Sequence, residues 1–368
     1  MNKKGYEYDK NGILYYNGKP VYYNLFKART SNRPYILIVG GRGIGKSCSG
    51  KDCLISDFLT RGWQFIYVRR FGTELDISFD TYLDDAIKLH PGHEVKAKGG
   101  KIRTYWIDGL LAGYAFSIND FGYVKSITPD PIYNILFDEF IPENGLYIKH
   151  NGNASWEVDQ CRGLYQTVSR GFGMPFKPGV RFYFMSNAVD FNNPYFKEFG
   201  ISEHFNRLAP GTKSATFLLE DVYAELVDKD AYAATDIIKE SKWYKGMKDS
   251  RYAKYAVDNE FYNDSKEFIS GKLPSGAKHL YNILAGKDTY GVWIDNSSGL
   301  FYVSNKYDPA CKINYALSNE AHKINTELIE KNKNVPSIKM LREAYNNGFV
   351  LFKNGDTKQV LLDFLGVK

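Results

Sequence analysis

The chain contains 368 residues, of which 43% are apolar and 24% charged, a composition typical of a water-soluble globular protein with room for two domains. The 48 basic and 42 acidic residues give a formal charge of +6, which permits contact with nucleic acid but excludes a histone-like excess of positive charge. No apolar run approaches the length of a membrane span, and the start, MNKKGYEYDKNG, lacks the apolar segment of a signal peptide, so we expect an intracellular protein without a membrane partner.

Cysteine and histidine spacing indicates neither disulfides nor a metal centre. The cysteines are scattered, without a C-x-x-C pair, at Cys48, Cys53, Cys161 and Cys311. They predict buried free thiols. His90 and His93, in LHPGH, have no further ligand nearby and predict a turn.

The first 33 residues carry two Asn-Gly pairs, Asn11-Gly12 and Asn17-Gly18, each beside apolar or tyrosine residues. Because Asn-Gly between such residues is typical of a β-hairpin turn, this segment is predicted to form a hairpin arm.

The stretch from Pro34 to Ser47, PYILIVGGRGIGKS, combines a strand with a glycine-rich turn. Five apolar residues from Tyr35 to Val39 predict a strand buried on both faces of a parallel sheet. The turn matches the pattern G-x-x-x-x-G-K-[ST], in which glycine lets backbone N–H groups wrap a triphosphate. The predicted phosphate-binding residues are Gly40, Gly41, Arg42, Gly43, Ile44, Gly45, Lys46 and Ser47.

This pattern predicts a nucleoside triphosphate and Mg²⁺ as ligands. Lys46 is expected to reach the β- and γ-phosphates and the Ser47 hydroxyl to bind Mg²⁺, while the helix beginning near Gly45 directs its positive end at the anion. We expect the N-terminal arm to pack beside the nucleotide base.

A β-turn-α-β unit follows from the next segments, with a helix predicted over Cys48–Thr60 and a buried strand over Trp63–Val68. Arg69 and Arg70 come directly after this strand, which is compatible both with the ligand side of a parallel sheet and with a solvated rim. Asp80–His90 predicts a short amphipathic helix.

Residues 93–116 alternate well enough, between glycine turns, to predict a strand meander inserted at the edge of the sheet. Basic residues crowd its first hairpin, at Lys96, Lys98, Lys101 and Arg103. They are compatible with binding a nucleic-acid backbone and equally with a charged edge strand that discourages aggregation.

The segment from Tyr133 to Glu139, YNILFDE, is a second apolar run that ends in two adjacent carboxylates, and it resembles a Walker B strand. Asp138 is expected to hold the water shell of Mg²⁺ opposite Ser47, and Glu139 to polarise the attacking water. The chain has no N-K-x-D motif, which argues against a GTPase.

Leu164–Arg170 predicts the end of a helix, and Arg181–Met185 predicts a further buried strand that runs into Ser186 and Asn187. The Asn187 amide is then expected beside the γ-phosphate, where it would position water or sense the phosphate. The alternative is an ordinary strand-capping turn in SNAVDFNNP.

The residue composition changes after Phe205, and this change indicates a lid or connector. Leu219–Asp230 predicts an acidic helix and Ala231–Asp249 a polar helical stretch. A third region without a P-loop starts near Asp264. Its predicted elements are strands at Tyr290–Ile294 and Leu300–Ser304, and helices near 318–332, 336–347 and from Lys358.

Several strings occur in the order and approximate spacing of the double-stranded DNA packaging ATPases of small short-tailed phages of the phi-29 type. They are GGRGIGKS, QFIYVRR, ILFDEF, TVSR and SNAV, followed by DNEFYNDSKEFI and YGVWIDNSSGLFYV. The chain resembles this family over most of its length, densely to about Tyr195 and thinly through the connector. QFIYVRR and FDEF are not required by the generic P-loop pattern, so they specify the family more tightly than the Walker motifs do.

The resemblance implies an α/β fold with an ASCE-type P-loop ATPase domain, RecA-like with helices on both faces of a parallel sheet, at residues 1–204. It implies a linker or lid at 205–263 and a smaller C-terminal domain, similar to the RNase H-like nuclease of larger terminases, at 264–368. Such a nuclease gathers several carboxylates around two metals. Here the strand YGVWID offers Asp295 and the next strand offers none. We therefore predict a vestigial domain that docks or contacts DNA without cutting it.

On the family pattern, Arg170 matches an arginine finger delivered to the ATP of the neighbouring subunit, and Lys125 matches a basic residue at the same interface. Arg42 is a third candidate for this role. The rigid fork of an arginine suits the spread charge of the phosphoryl transition state. With Glu139 and Asn187, Arg170 and Lys125 form the predicted catalytic set.

The resemblance also implies a function, an ATP-driven motor that translocates double-stranded viral DNA into a preformed capsid. The expected assembly is a homo-oligomeric ring, with five subunits, docked on the portal of the procapsid in the host cytoplasm, with a structural RNA as a further possible partner. The alternatives are another ASCE nucleic-acid motor, such as a helicase or loader, and a nucleotide-binding scaffold without turnover. The presence of Glu139 beside Asp138 argues against the scaffold.

Overall fold

The computed structural model describes residues 6–9, 13–100, 102–120, 122, 131–142, 146–150, 155–170, 176–187, 193–208, 212–248, 272–353 and 355–366. The chain divides into two compact units, Met1–Tyr262 and Asn263–Lys368. Within the described ranges, none of the helices is both long and apolar enough to cross a membrane.

The first unit contains one small sheet, one large sheet and eight α-helices in its described residues. The small sheet consists of β1 (Tyr6–Tyr8), β2 (Leu14–Tyr16) and β3 (Lys19–Pro20). The large sheet consists of β4 (Tyr35–Gly40), β5 (Gln64–Arg69), β6 (Val95–Lys98), β7 (Arg103–Ile107), β8 (Leu110–Ser117), β9 (Ile132–Asp138), β10 (Arg181–Asn187), β11 (Ala215–Leu218) and β12 (Val222–Leu226). The helices are α1 (Phe26–Thr30), α2 (Lys46–Arg61), α3 (Gly72–Ser78), α4 (Ser155–Val168), α5 (Pro194–Glu198), α6 (Ser202–Asn206), α7 (Ala233–Glu240) and α8 (Lys242–Met247).

The strands of the large sheet lie in the order β11-β12-β4-β10-β9-β5-β8-β7-β6. Strands β12 to β8 in this order run parallel to one another. The flanking strands β11, β7 and β6 pair antiparallel. A strand, β10, thus separates the glycine-rich turn after β4 from the two carboxylates at the end of β9, which is the order of an ASCE-type ATPase. The α/β P-loop fold predicted from the sequence is confirmed.

Strand β4 is buried on both faces of this sheet, as its apolar run predicted. Leu37 and Val39 pack in one hydrophobic cluster with α4, and Ile36 and Ile38 pack in the other with α2. Because side chains alternate across a strand, a run without polar residues requires a covering layer on each side. The helices on both faces of the sheet supply these layers.

The predicted N-terminal hairpin is present at its second Asn-Gly pair. Asn17 and Gly18 have φ angles of 51° and 76° and connect β2 to β3, which pair antiparallel. This left-handed pair is typical of a two-residue hairpin turn. The backbone N–H of Tyr23 donates to the carbonyl of Ile44 at 2.8 Å, so the arm continues onto the glycine-rich turn. Asn11-Gly12 lies outside the described residues.

Most predicted elements of the first unit are confirmed, namely helix α2, strands β5 and β10, the end of α4 and the meander β6 to β8 at the sheet edge. The amphipathic helix predicted over Asp80–His90 is wrong. The segment forms two short 3₁₀ helices, Phe79–Thr81 and Ile87–Leu89, joined by turns. The buried side chains of Phe79, Tyr82, Leu83 and Ala86 pack into the core here without a continuous helix.

The helix predicted over Leu219–Asp230 is also wrong, because this segment forms β12. Its residues from Val222 to Leu226 pair in parallel with Tyr35 to Val39 of β4. The acidic composition favoured a solvated helix, but tertiary pairing beside β4 determines the conformation. Residues predicted as part of a connector therefore extend the large sheet by β11 and β12. The three-part domain division itself stays a prediction.

The second unit is built on a six-stranded mixed sheet with the order β17-β16-β13-β14-β15-β18. Its strands are β13 (Lys278–Ala285), β14 (Asp288–Asp295), β15 (Leu300–Ser304), β16 (Asn314–Ala316), β17 (Glu327–Leu328) and β18 (Val350–Phe352). Its described helices are α9 (Ile329–Asn332), α10 (Pro336–Asn346) and α11 (Gly355–Leu365). The antiparallel meander β13-β14-β15, with β16 and then β17 added in parallel beside β13, is the arrangement expected of an RNase H-like domain.

The strands predicted at Tyr290–Ile294 and Leu300–Ser304 are confirmed, as are the helices near 336–347 and from Lys358. The helix predicted over 318–332 is wrong for most of its length. Only Ile329–Asn332 is helical, and the preceding residues form turns and β17.

Candidate active site

The glycine-rich turn joins the end of β4 to the start of α2. Gly43 and Gly45 have φ angles of 79° and 87°, which any residue with a Cβ adopts only with strain. A Cβ on Gly45 would also lie 2.8 Å from the Cβ of Tyr22. These two glycines let the chain make the tight turn from β4 into α2. The first N–H groups of α2 have no intrahelical partner and are available to an anion that binds at this turn.

Lys46 lies at the bottom of this turn. Its side chain is 6% exposed, and its ammonium donates hydrogen bonds to the carbonyls of Gly40 and Gly41 at 3.1 and 2.6 Å. Burial lowers the pKa of Lys46 to about 7; the charge of Asp138 opposes this shift, and that of Arg42 adds to it. A bound phosphate would place a negative charge beside this buried ammonium and so favour its protonated form.

Ser47 and Asp138 meet across β10. The Ser47 hydroxyl donates a hydrogen bond of 2.8 Å to Oδ1 of Asp138, whose residue is 9% exposed. Burial raises the pKa of the Asp138 carboxyl, whereas the hydrogen bond from Ser47 and the charge of Arg69 lower it. A hydroxyl and a carboxylate fit Mg²⁺ at a nucleotide site, because this ion keeps several waters and takes its other oxygens from phosphates. The described residues contain no group of three or more acidic, His or Cys side chains that would hold a metal ion without such phosphates.

Glu139 follows Asp138 with its backbone in the left-handed region, at φ 62°. Its side chain is 53% exposed, and its carboxylate accepts a hydrogen bond of 2.8 Å from Nη2 of Arg69 at the end of β5. Arg69 also lies 3.6 Å from the carboxylate of Glu74 and 3.5 Å from the carbonyl of Asp138. The glutamate is therefore held by an arginine on the neighbouring strand.

Asn187 ends β10 opposite Gly40 of β4. Its side-chain oxygen accepts a long hydrogen bond, 3.4 Å, from the ammonium of Lys46. The amide thus lies at the same edge of the sheet as the glycine-rich turn and Asp138.

The remaining candidates lie in three different parts of the chain. Arg170 follows α4, is exposed, and makes no hydrogen bond or ion pair within the described part of the chain. Arg42 is exposed on the glycine-rich turn itself. Lys125 lies outside the described residues.

Sequence reasoning did not identify the partner of Arg69. The two arginines at the end of β5 are also compatible with a solvated rim, because the sequence does not reveal which strand lies beside β5. Strand β9 lies there, with Val68 opposite Phe137. This pairing brings Arg69 to Glu139, and the adjacency of two arginines and two acidic residues at strand ends was the only signal available.

In the second unit, Asp295 has a local structural role. Its carboxylate accepts hydrogen bonds from the Ser297 N–H and hydroxyl at 3.0 and 2.7 Å and from the Ser298 hydroxyl at 2.8 Å. The bonds from Ser297 are the main reason that the pKa of Asp295 is lowered. These contacts stabilise the turn between β14 and β15.

The chain has close relatives in sequence. A family model described as the podovirus DNA encapsidation protein (Gp16) matches residues 17–366. The DNA packaging protein of Bacillus phage phi29 is 32% identical over 338 residues, covering 91% of this chain and 94% of that protein. The DNA packaging protein of Bacillus phage B103 is 32% identical over 317 residues, covering 86% and 92%.

Solved structures resemble the whole chain. The bacteriophage Phi-29 viral genome packaging motor assembly contains a chain that matches with a TM-score of 0.72 and 31% identity, covering 94% of this chain and 99% of that one. The Phi-28 gp11 DNA packaging motor matches with a TM-score of 0.60 over 94% of this chain and 98% of that one, at 15% identity, and so shares the fold.

Proposed function

The chain belongs to the podovirus DNA encapsidation protein (Gp16) family, and we propose a mechanism for it as a viral DNA packaging motor ATPase of the phi29 type. The mechanism describes how ATP is hydrolysed and how hydrolysis in one subunit depends on the neighbouring subunit. The observation that carries the proposal is the meeting of Lys46, Ser47, Asp138 and Glu139 at the carboxyl edge of one parallel sheet.

Each of these residues has a distinct role in phosphoryl transfer. The glycine-rich turn and Lys46 bind the phosphates of ATP, since buried N–H groups and an ammonium offset their charge. Ser47 and Asp138 hold Mg²⁺ with its waters, and this ion neutralises charge on the β- and γ-phosphate oxygens. Glu139 orients and deprotonates the attacking water, and Asn187 contacts the terminal phosphate beside Lys46.

In the resting site, the carboxylate of Glu139 is paired with Arg69. A carboxylate that accepts a charge-assisted hydrogen bond from a guanidinium is held in one orientation until that bond breaks. We propose that Glu139 leaves Arg69 when nucleotide and DNA are both bound, so that hydrolysis follows DNA engagement.

Arg170 completes the site of a neighbouring subunit. Its guanidinium is exposed and has no hydrogen bond or ion pair among the described residues, which suits a group whose partner is on another chain. An arginine in trans stabilises the charge of the transition state and makes hydrolysis depend on the arrangement of subunits. Lys125 is proposed at the same interface on the family pattern, and the ring is proposed to contain five subunits.

The motor is proposed to grip double-stranded DNA through basic groups that contact its phosphates, while docked on the portal of the procapsid in the host cytoplasm. A structural RNA is proposed as a further partner. The second unit is proposed to dock or to contact DNA without cutting it, in keeping with an Asp295 carboxylate that stabilises a turn.

The test is ATP hydrolysis at low salt, which preserves phosphate contacts, with linear duplex DNA, with matching single-stranded DNA, and without DNA. Turnover that is stimulated by duplex and lost in Glu139→Gln and Arg170→Ala is the expected result. Stimulation by single strands alone would favour a helicase, and Glu139→Gln with full turnover would contradict the assigned base.

A further inference from the structure

Arg70 brings a charge into the interior of the first unit. Its side chain is 2% exposed. A buried guanidinium is costly unless its N–H groups find acceptors. Here Nε donates to both carboxylate oxygens of Glu157 at 3.0 and 3.1 Å. Nη1 donates to the carbonyl of Glu139 at 3.1 Å, and Nη2 donates to the carbonyl of Phe140 at 2.6 Å. Arg70 therefore joins the end of β5, the segment after β9 and the first turn of α4.

Glu157 fixes the orientation of this guanidinium. Its side chain is fully buried, and besides Arg70 it accepts hydrogen bonds from the Tyr195 hydroxyl at 2.6 Å and the Ile148 N–H at 2.7 Å. Charge-assisted bonds of this kind are short and directional. Because both oxygens of Glu157 are engaged, Arg70 is held in one position relative to α4.

The main chain of Glu139 requires such support. A left-handed conformation at a residue other than glycine persists only where the surrounding structure holds it. The N–H of Glu139 donates to the carbonyl of Met185 on β10 at 2.7 Å, and its own carbonyl accepts from Arg70. Arg69 engages the carboxylate of the same residue. Of the two adjacent arginines, Arg69 therefore binds the side chain of Glu139, and Arg70 binds its backbone carbonyl.

We infer that the Arg70–Glu157 ion pair is a positioning element that sets the main chain of Glu139 relative to α4, so that Glu139 and Arg170 move as one body. Helix α4 spans about 20 Å from Ser155 to Val168, and Arg170 lies two residues beyond its end. A displacement of Arg170 by the neighbouring subunit is transmitted along this helix to the backbone of the residue that orients water. The inference rests on the proposed roles of Glu139 and Arg170.

The experiment compares Arg70→Lys with Arg29→Lys in the full chain. Lysine keeps the charge beside Glu157 but has one ammonium, which cannot bond to Glu157 and to both carbonyls in the fork geometry of arginine. Arg29 pairs with Asp57 at 2.6 Å in the same unit and makes no described contact with the site, so it controls for loss of an ion pair. A second variant, Arg70→Met with Glu157→Gln, removes both charges together and avoids an uncompensated buried charge.

The readouts are single-turnover ATP hydrolysis, nucleotide affinity, and amide hydrogen exchange of residues 138–142 without nucleotide. Arg70→Lys and the double variant are expected to lose about 100-fold in the hydrolysis rate while nucleotide affinity stays within about threefold, because a misplaced water-orienting group affects the chemical step. Exchange of the Glu139 and Phe140 amides is expected to become faster in both, and Arg29→Lys is expected to match the wild type in all three readouts.

Hydrolysis and exchange both within twofold of wild type in either Arg70 variant would overturn the inference. If one variant does not fold, the other decides. If the wild type does not hydrolyse ATP, or Glu139→Gln retains turnover, the proposed function fails instead, and the exchange measurement still tests whether Arg70 holds the backbone of Glu139.

Discussion

Nη2 of Arg69 lies 2.8 Å from the carboxylate of Glu139, at the carboxyl ends of two adjacent parallel strands. The glutamate side chain is 53% exposed and that of the arginine 13% exposed. A partly exposed ion pair contributes only about 0.2–1 kcal/mol. The pair is therefore strong enough to bias the glutamate between two positions and weak enough to be broken by a ligand.

Replacing Arg69 by glutamine is expected to raise ATP hydrolysis in the absence of DNA by about 1.4- to 5-fold, the rate equivalent of such a pair. The stimulation by duplex DNA should fall by a similar factor, because Glu139 is no longer restrained before DNA binds. Steady-state hydrolysis with and without duplex measures both. A variant whose activity is lost under both conditions would mean that Arg69 takes part in the reaction instead of restraining it.

Tyr22 is expected to stack on the nucleotide base. Its side chain is 50% exposed although it packs directly on Gly45 at the start of α2. The backbone N–H of the next residue, Tyr23, donates a hydrogen bond to the carbonyl of Ile44 in the glycine-rich turn. Base stacking on an aromatic ring is worth about 1–3 kcal/mol, so Tyr22→Ala should weaken nucleotide affinity by about tenfold or more, and equally for ATP and GTP.

Tyr22→Phe, which keeps the ring, and Tyr8→Ala, which removes a 71% exposed tyrosine from the same arm, are the controls for this prediction. Titration with a fluorescent nucleotide analogue measures the affinity. If all three variants bind as the wild type does, the base does not lie on Tyr22.

The extent to which this site follows from the sequence depends on whether its contacts are local or arise from strand pairing. The turn from Gly40 to Ser47 is recognised because its chemistry depends on adjacent residues. The closeness of Ser47 to Asp138 follows only from a motif, since 91 positions separate them. The contacts of Arg69 and Arg70 could not be predicted, because they depend on β9 lying next to β5 and on α4 covering the end of β9.

The same limit explains the errors in the fold. Val222 to Leu226 form a strand because β4 offers an unpaired edge, which no feature of VYAEL reveals. Conversely, β4 could be predicted to be buried on both faces, because an unbroken apolar run has no solvated side.

Asp230 is expected to make the stability of the first unit depend on pH in the acid range. Its carboxylate lies 2.8 Å from the ammonium of Lys213 and 2.7 Å from that of Lys229. Hydrogen bonds from Lys213 and then from Lys229 lower the pKa of Asp230. A carboxyl whose pKa is lower in the folded protein stabilises it above its unfolded pKa of about 4 and loses this contribution as pH falls through the folded value.

Asp230→Asn should therefore reduce the free energy of unfolding by about 1 kcal/mol at pH 7, as expected for a pair near the surface, and the difference from wild type should shrink progressively below about pH 4. Urea unfolding followed by circular dichroism, at pH 7 and below about pH 4, measures the free energy of unfolding of both proteins. Glu203→Gln, at a pair whose side chains are more than 70% exposed, is expected to have almost no effect. A difference that grows in acid would contradict the assignment.

Arg170 is expected to act on the site of a neighbouring subunit, which mixing two inactive variants tests directly. Glu139→Gln lacks the water-orienting group but keeps its arginine, and Arg170→Ala has the reverse defect. In a mixed ring, a site with Glu139 from one variant can receive Arg170 from the other, so random mixing of equal amounts should restore about one quarter of wild-type hydrolysis when the arginine acts in trans.

Each variant alone, and a mixture of either with wild type, provides the reference rates. If Arg170 acted within its own subunit, no complete site would form and the mixture would stay inactive. Since its guanidinium has no hydrogen bond or ion pair in the described residues of its own chain, recovery is the expected outcome.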